Sequence, residues 1–342
     1  MNKVFKTMIG WLFTACAVTS CTGNEEIQLP EDCSAERMQL QFVMHEQLPD
    51  GITRTSQPAG DGYATSFSDG DKIGIFVYNA SDGDGKDAGG LISADVKYSY
   101  NADTETWSPH SGTAITLPRD WTKLKVYAYY PALSATVHED YKNIRHSVMA
   151  AQAKAENYAK SDFMVASLDL TNDEALNKII TINQDGVPTV TAPLVFSHVC
   201  ALLEVTVNSQ AVPAYAGVQP TVTLLSAKCG MTVDLSADRT SPNFDGFTNK
   251  DSEKANVTMF PIGDGDTATS EWKFCAVVPQ QSILKGAELL DIVFRQDGGE
   301  GMLYKYTLPT DQGLSLPAGK IRRVNVTIEE KNNEQEQLIT DI

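Results

Sequence analysis

The chain has 342 residues, 27 of them basic and 44 acidic, for a formal charge of −17. That length suffices for two domains with separate cores, and 42% hydrophobic against 21% charged residues is a folded composition, not a disordered one. The acidic balance argues against a nucleic-acid partner, which needs a basic surface to neutralise phosphates, and no apolar run of helix-spanning length occurs.

Residues 1–20 read as a secretory signal. Lys3 and Lys6 supply the positive start, and residues 8–18 form an apolar run too short to span a bilayer. Val18-Thr19-Ser20-Cys21 follows. Small residues before a cysteine resemble the lipobox of bacterial lipoproteins, in which Cys21 would carry lipid and the peptide would be cut before it; the alternative is a plain signal with an incidental cysteine. Lipid chains contribute about 0.8 kcal/mol per buried methylene, so anchoring would be stable. Glu25, Glu26, Glu31 and Asp32 come next. They resemble the acidic surface-export signal of Bacteroidetes lipoproteins, or they form a solvated tether.

From there the dominant pattern is period-2 alternation in short runs bounded by Gly, Pro, Asn, Asp and Ser, which predicts strands and turns. Residues 38–44 (MQLQFVM) alternate cleanly, and 72–79 (KIGIFVYN) and 95–100 are further strands. Residues 98–107 read as a hairpin turning at Asn101 to Asp103, 124–130 as a strand stopped by Pro131, and 163–168 as another. Residues 145–160, rich in Ala, Gln, Lys and Glu without Gly or Pro, are the one expected helical segment. A polar stretch over 171–187 places a domain boundary between about 169 and 192. Residues 194–207 (LVFSHVCALLEVTV) then read as one long strand, followed by strands at 221–225, 231–235, 256–261, 272–279, 289–295, 302–308 and 321–328. The tail 329–342, acidic and rich in Gln and Asn, reads as flexible unless another chain pairs with it. The expected fold class is all-β: two tandem β-sandwiches, with an N-terminal domain over 21–180, a C-terminal domain over 181–330 and a tail over 331–342.

Chemistry-bearing motifs are scarce. No nucleotide-binding glycine loop, nucleophile elbow or zinc-protease helix occurs. Residues 82–87 (DGDGKD) resemble a calcium loop, but Asp87 stands where glycine is needed and Ser93 where the closing glutamate belongs. Of six cysteines, Cys33, Cys200, Cys229 and Cys275 remain after Cys16 and Cys21, without metal-ligand spacing. They read as buried thiols, with a disulfide left open. His198, alone in an apolar strand, reads as a hydrogen-bonded histidine at a domain seam. Trp107, Trp121 and Trp272 are either core or sugar-stacking residues. No catalytic, cofactor or metal residue is assigned, and no enzyme activity is expected.

Several segments together resemble the fimbrillin (Mfa-like) family of Bacteroidetes lipoproteins. They are Thr53-Arg54, then residues 67–78 (FSDGDKIGIFVY), 126–131 (VYAYYP), 161–166 (SDFMVA), 194–203 (LVFSHVCALL), 277–281 (VVPQQ) and 318–320 (AGK). The resemblance implies two transthyretin-like β-sandwiches of Greek-key character and a subunit of type V pili, placed at the outer membrane and in a surface fimbrium. It implies removal of the N-terminal segment by an arginine-specific protease and its replacement by a neighbour's strand. Arg54 is then the cut site, and Met38, Leu40, Phe42 and Met44 mark the removable strand; Arg37 is a second candidate, but cutting there would leave the strand attached. A strand that stays in place permanently is the alternative. Partners would be other fimbrial subunits, the outer membrane through the lipid anchor, and a host or bacterial surface ligand. The competing function is a monomeric surface lipoprotein that binds glycan or host protein.

Overall fold

The protein is described from a computed structural model covering residues 37–44, 67–80, 90–118, 121–133, 137–171, 180–182, 188–211, 215, 217–237, 247–268, 270–295, 301–329 and 338–339. Cys21, Cys33, Arg54 and the DGDGKD segment lie outside these residues, and all the described residues fall within the compact unit Glu36–Ile342.

The first half contributes β1 (Arg37–Met44), β2 (Lys72–Asn79), β3 (Leu91–Asn101), β4 (Thr106–Pro109), β5 (Ile115–Pro118), β6 (Lys123–Tyr130), β7 (Ile144–Ser147), the helix α1 (Ala155–Ser161) and β8 (Met164–Thr171). There follow β9 (Ile180–Ile182), β10 (Pro188–Leu194), β11 (Ser197–His198), β12 (Ala201–Ala211), β13 (Thr221–Val233), β14 (Phe247–Thr258), β15 (Phe260–Asp266) and β16 (Glu271–Val278). The last are β17 (Gln281–Ile283), β18 (Glu288–Phe294), β19 (Met302–Thr307), β20 (Leu314–Leu316), β21 (Ile321–Glu329) and β22 (Leu338–Ile339). Among the described residues the chain is all-β apart from α1, as the alternation predicts.

Ten strands share the first sheet, in the order β11-β8-β6-β2-β3-β4-β1-β10-β9, with β5 pairing β1 beside β4. Two five-stranded sheets form the second half: β15-β16-β12-β21-β22, and β14-β13-β18-β19 with β7 joined to β13. Inner faces of these two sheets, such as Val205, Val207 and Phe274 against Leu224, Met231 and Leu290, meet in one hydrophobic cluster.

The middle strands of the first sheet are buried on both faces. In β2, Ile73, Ile75 and Val77 enter the first core while Phe76 and Tyr78 enter the second. In β6, Leu124, Val126 and Ala128 alternate in the same way with Tyr127 and Tyr129. A strand covered on both sides reads as a nearly continuous apolar run, and that is how KIGIFVYN and LKVYAYY read.

Two local expectations are corrected. The helix predicted over 145–160 is only the seven residues of α1, and its N-cap, Lys154, offers no side-chain bond. Its upstream part is strand β7, in which Ile144 and His146 are buried and which pairs antiparallel with β13. Helix-favouring composition lost to a tertiary strand partner, since propensity is worth only tenths of a kcal/mol per residue. The long strand predicted over 194–207 is three pieces, β10, β11 and β12. The break falls where the chain leaves the first core at Phe196 and enters the second at Val199.

The hairpin forms as read: Asn101 Oδ1 accepts from the backbone N–H groups of Asp103 and Thr104, both at 3.0 Å.

Candidate functional site

β1 occupies a slot inside the first sheet. On one side it runs parallel to β10 through six residue pairs, from Gln39–Thr189 to Met44–Leu194. On the other it runs antiparallel to β5 (Arg37–Pro118 to Leu40–Ile115) and then to β4 (Phe42–Trp107, Val43–Thr106). Alternation sends Met38, Leu40 and Phe42 into the first core, where Phe42 is fully buried. At roughly 1.5–3 kcal/mol per fully buried side chain, these three contribute on the order of 5–9 kcal/mol, an upper estimate because the unfolded chain hides part of that area.

Tyr98 marks the join between the two antiparallel neighbours of β1. Its hydroxyl donates to the Leu40 carbonyl and accepts from the Ile115 N–H, each at 3.0 Å. One phenol thus bridges the strand and the flank of its slot, and burial pushes its pKa up to about 12. The ring meets Phe42 edge-on, with centroids 5.3 Å apart, a favourable arrangement for an aromatic pair. Phe67, which opens the segment before β2, packs edge-on against Trp107 at 4.9 Å. Phe67 therefore sits at the same corner as Phe42, because Trp107 also pairs with Phe42.

Of the residues singled out from sequence, Met38, Leu40 and Phe42 come together in this slot; Met44 is placed by its backbone pairing with Leu194. Arg54 and Cys21 lie outside the described residues. His198 Nδ1–H donates to Asp162 Oδ1 at 2.9 Å, with both side chains nearly buried, at the passage from β10 to β12. Cys200, Cys229 and Cys275 are free and buried. Trp107, Trp121 and Trp272 are buried core residues, so none offers a face to a sugar.

Sequence reading missed a polar cluster beneath β3. Asp95, at φ 47°, turns its carboxylate inward. There it accepts from Lys97 Nζ at 2.6 Å, Tyr129 OH at 2.7 Å and the His138 N–H at 2.6 Å. Burial lowers the Lys97 pKa against the pull of Asp95. Burial, followed by the carboxylate, raises that of Tyr129. With three donors on its carboxylate, Asp95 forms a structural ion pair that pins His138 to β3. The signal in the sequence was weak: Asp and Lys two apart in an alternating strand normally face solvent together. Among the described residues no group of acidic, histidine and cysteine side chains is arranged to hold a metal.

The profile of the Fimbrillin-like family matches residues 53–341. Two solved structures share the fold over most of both chains. A candidate cell-adhesion protein of Bacteroides uniformis ATCC 8492 is 17% identical with a TM-score of 0.53, over 88% of this chain and 94% of its own. One from Bacteroides ovatus ATCC 8483 is 13% identical with a TM-score of 0.54, over 89% and 96%. No curated protein matches.

Proposed function

The chain belongs to the fimbrillin-like family, and we propose that it is a subunit of a cell-surface fimbria that polymerises when β1 is exchanged for a strand of a neighbouring subunit. Export as a lipoprotein through Cys21, with anchoring in the outer membrane, is part of this reading. So is a cut after Arg54 by an arginine-specific protease. Other fimbrial subunits are its partners, and the chain itself catalyses no reaction.

The observation that carries it is the seat of β1. This strand is paired on both sides, although residues 45–71 separate it along the chain from β2. Its departure would expose two strand edges, β10 on one side and β5 with β4 on the other. It would also open apolar sockets for Met38, Leu40 and Phe42. Unpaired edges and an empty apolar groove are what an added strand satisfies. A head-to-tail contact of this kind is heterologous and builds filaments instead of closed rings.

The test is digestion of the full chain with an arginine-specific protease. Cleavage after Arg54, release of β1 and SDS-resistant ladders support the reading, and Arg54→Ala should suppress all three. A chain that is cut after Arg54, loses β1 and remains monomeric at high concentration removes it.

A further inference from the structure

The antiparallel flank of β1 is one stretch of chain with an interruption. Thr106 and Trp107 of β4 pair with Val43 and Phe42, and Ile115 to Pro118 of β5 pair with Leu40 to Arg37. Between them the chain swings across to β3, where Ser108 and Pro109 pair with Ser99 and Tyr98 and the His110 N–H donates to the Lys97 carbonyl at 2.9 Å. Extra residues in one strand of an antiparallel pair interrupt its ladder, and here the interruption falls beside Leu40 and Gln41. Tyr98, fully buried, reaches into it from β3. Its hydroxyl lies between the Ile115 N–H and the carbonyl of Leu40, the register partner of Ile115, at 3.0 Å from each.

Chemistry fixes the direction of these bonds. A backbone N–H only donates, so the phenol oxygen accepts from Ile115 and its one hydrogen goes to the Leu40 carbonyl. Departure of β1 removes only the second bond, because Tyr98 and Ile115 both belong to the slot. The hydroxyl hydrogen is then left aimed at the place of the missing carbonyl. A strand that enters one residue out of step turns its core side chains to the outer face. A slip of two residues keeps the faces and again offers a carbonyl, so there the Tyr98 ring decides. The ring meets Phe42 edge-on, with planes at 82°, a geometry that favours an aromatic partner beyond its buried area. After a slip of two, Leu40 or Met44 would stand in that seat.

We propose that Tyr98 sets the register of any strand that fills the slot, its hydroxyl taking one backbone carbonyl and its ring an aromatic side chain two residues further on. This rests on the exchange of β1 proposed above and adds what the slot asks of the incoming strand. That strand runs parallel to β10, as β1 does. It carries aliphatic side chains at the seats of Met38 and Leu40 and an aromatic one at the seat of Phe42. Tyr98 is thus a positioning residue, and its ligand is an extended segment of a neighbouring subunit.

The test uses the full chain, cut after Arg54, and fluorescent peptides of the β1 sequence that compete with β1 for the slot. The native peptide is expected to bind saturably, and one with Leu40 and Phe42 transposed at least about tenfold more weakly, or 1.4 kcal/mol. Tyr98→Leu should narrow that preference to less than about threefold, because the aromatic partner is gone. A thioamide at Leu40, whose sulfur is a poor acceptor, should weaken binding about three- to tenfold, as should Tyr98→Phe, which keeps the ring. The two losses should not add, because both remove the same bond. The thioamide peptide tests that bond on an unaltered chain, so poor folding of a variant does not imitate the result. Full additivity of the two losses, or an unchanged preference in Tyr98→Leu, overturns the proposal and leaves strand exchange standing. A cut wild-type chain that neither releases β1 nor takes up the native peptide overturns both.

Discussion

Gly74 lies under the Asp95 cluster, where a Cβ would meet the Tyr129 ring and the Asp95 carboxylate. Gly74→Ala should therefore force the ion pair apart and cost about 1–3 kcal/mol, read as a fall in the urea midpoint. Asp95→Ala removes the acceptor of three donors and leaves Lys97 half-buried without a counter-ion; a loss of about 2–4 kcal/mol is expected on the same measurement. His146 gives a pH dependence. Full burial depresses its pKa to about 4, against a bond of 3.3 Å to the Ser161 carbonyl and the nearby Asp162. The unfolded chain takes up this proton near pH 6.5 and the folded chain only near 4, so stability falls as pH drops through that window, by about 3 kcal/mol for this group alone. His146→Gln should flatten part of the decline in urea midpoint between pH 7 and pH 4.5. Asp71, whose pKa burial raises, acts in the opposite sense at the low end.

Among the elements, β1 was fully legible. Met38, Leu40 and Phe42 alternate with glutamines and valine, and the structure buries those three. What the pattern could not show was that β1 has neighbours on both sides, one parallel and one antiparallel. Phe42→Ala should cost about 3–5 kcal/mol in the intact chain. In a chain already cleaved after Arg54, the same substitution should speed dissociation of the β1 peptide, measured by its rate of loss on gel filtration. β7 and the break between β10 and β12 were misread for a common reason: local composition is a weak bias, and a partner strand far along the chain overrides it.

At the scale of the whole molecule, the loop between β6 and β8 ties the halves together. β7 joins the sheet of β13, and Tyr158 of α1 stacks on Phe260 at 5.1 Å. The Gln152 side chain, fully buried, donates to the Val277 carbonyl at 2.7 Å and accepts from its N–H at 2.9 Å. It substitutes for a strand neighbour of β16. Gln152→Ala leaves both backbone groups buried and unpaired, for an expected loss of about 2–4 kcal/mol. With the sheet of β2, β6 and β8 buried on both faces, calorimetry should show one cooperative transition for the wild-type unit. Alternation and turn residues in the sequence alone determined that this chain is a set of strands, which runs they occupy and which side chains of β1 face inward, because side-chain polarity records the face on which each residue sits. Only the tertiary structure decided which strands pair with which, including the two neighbours that close the slot of β1, because edges pair through backbone groups that every sequence carries alike.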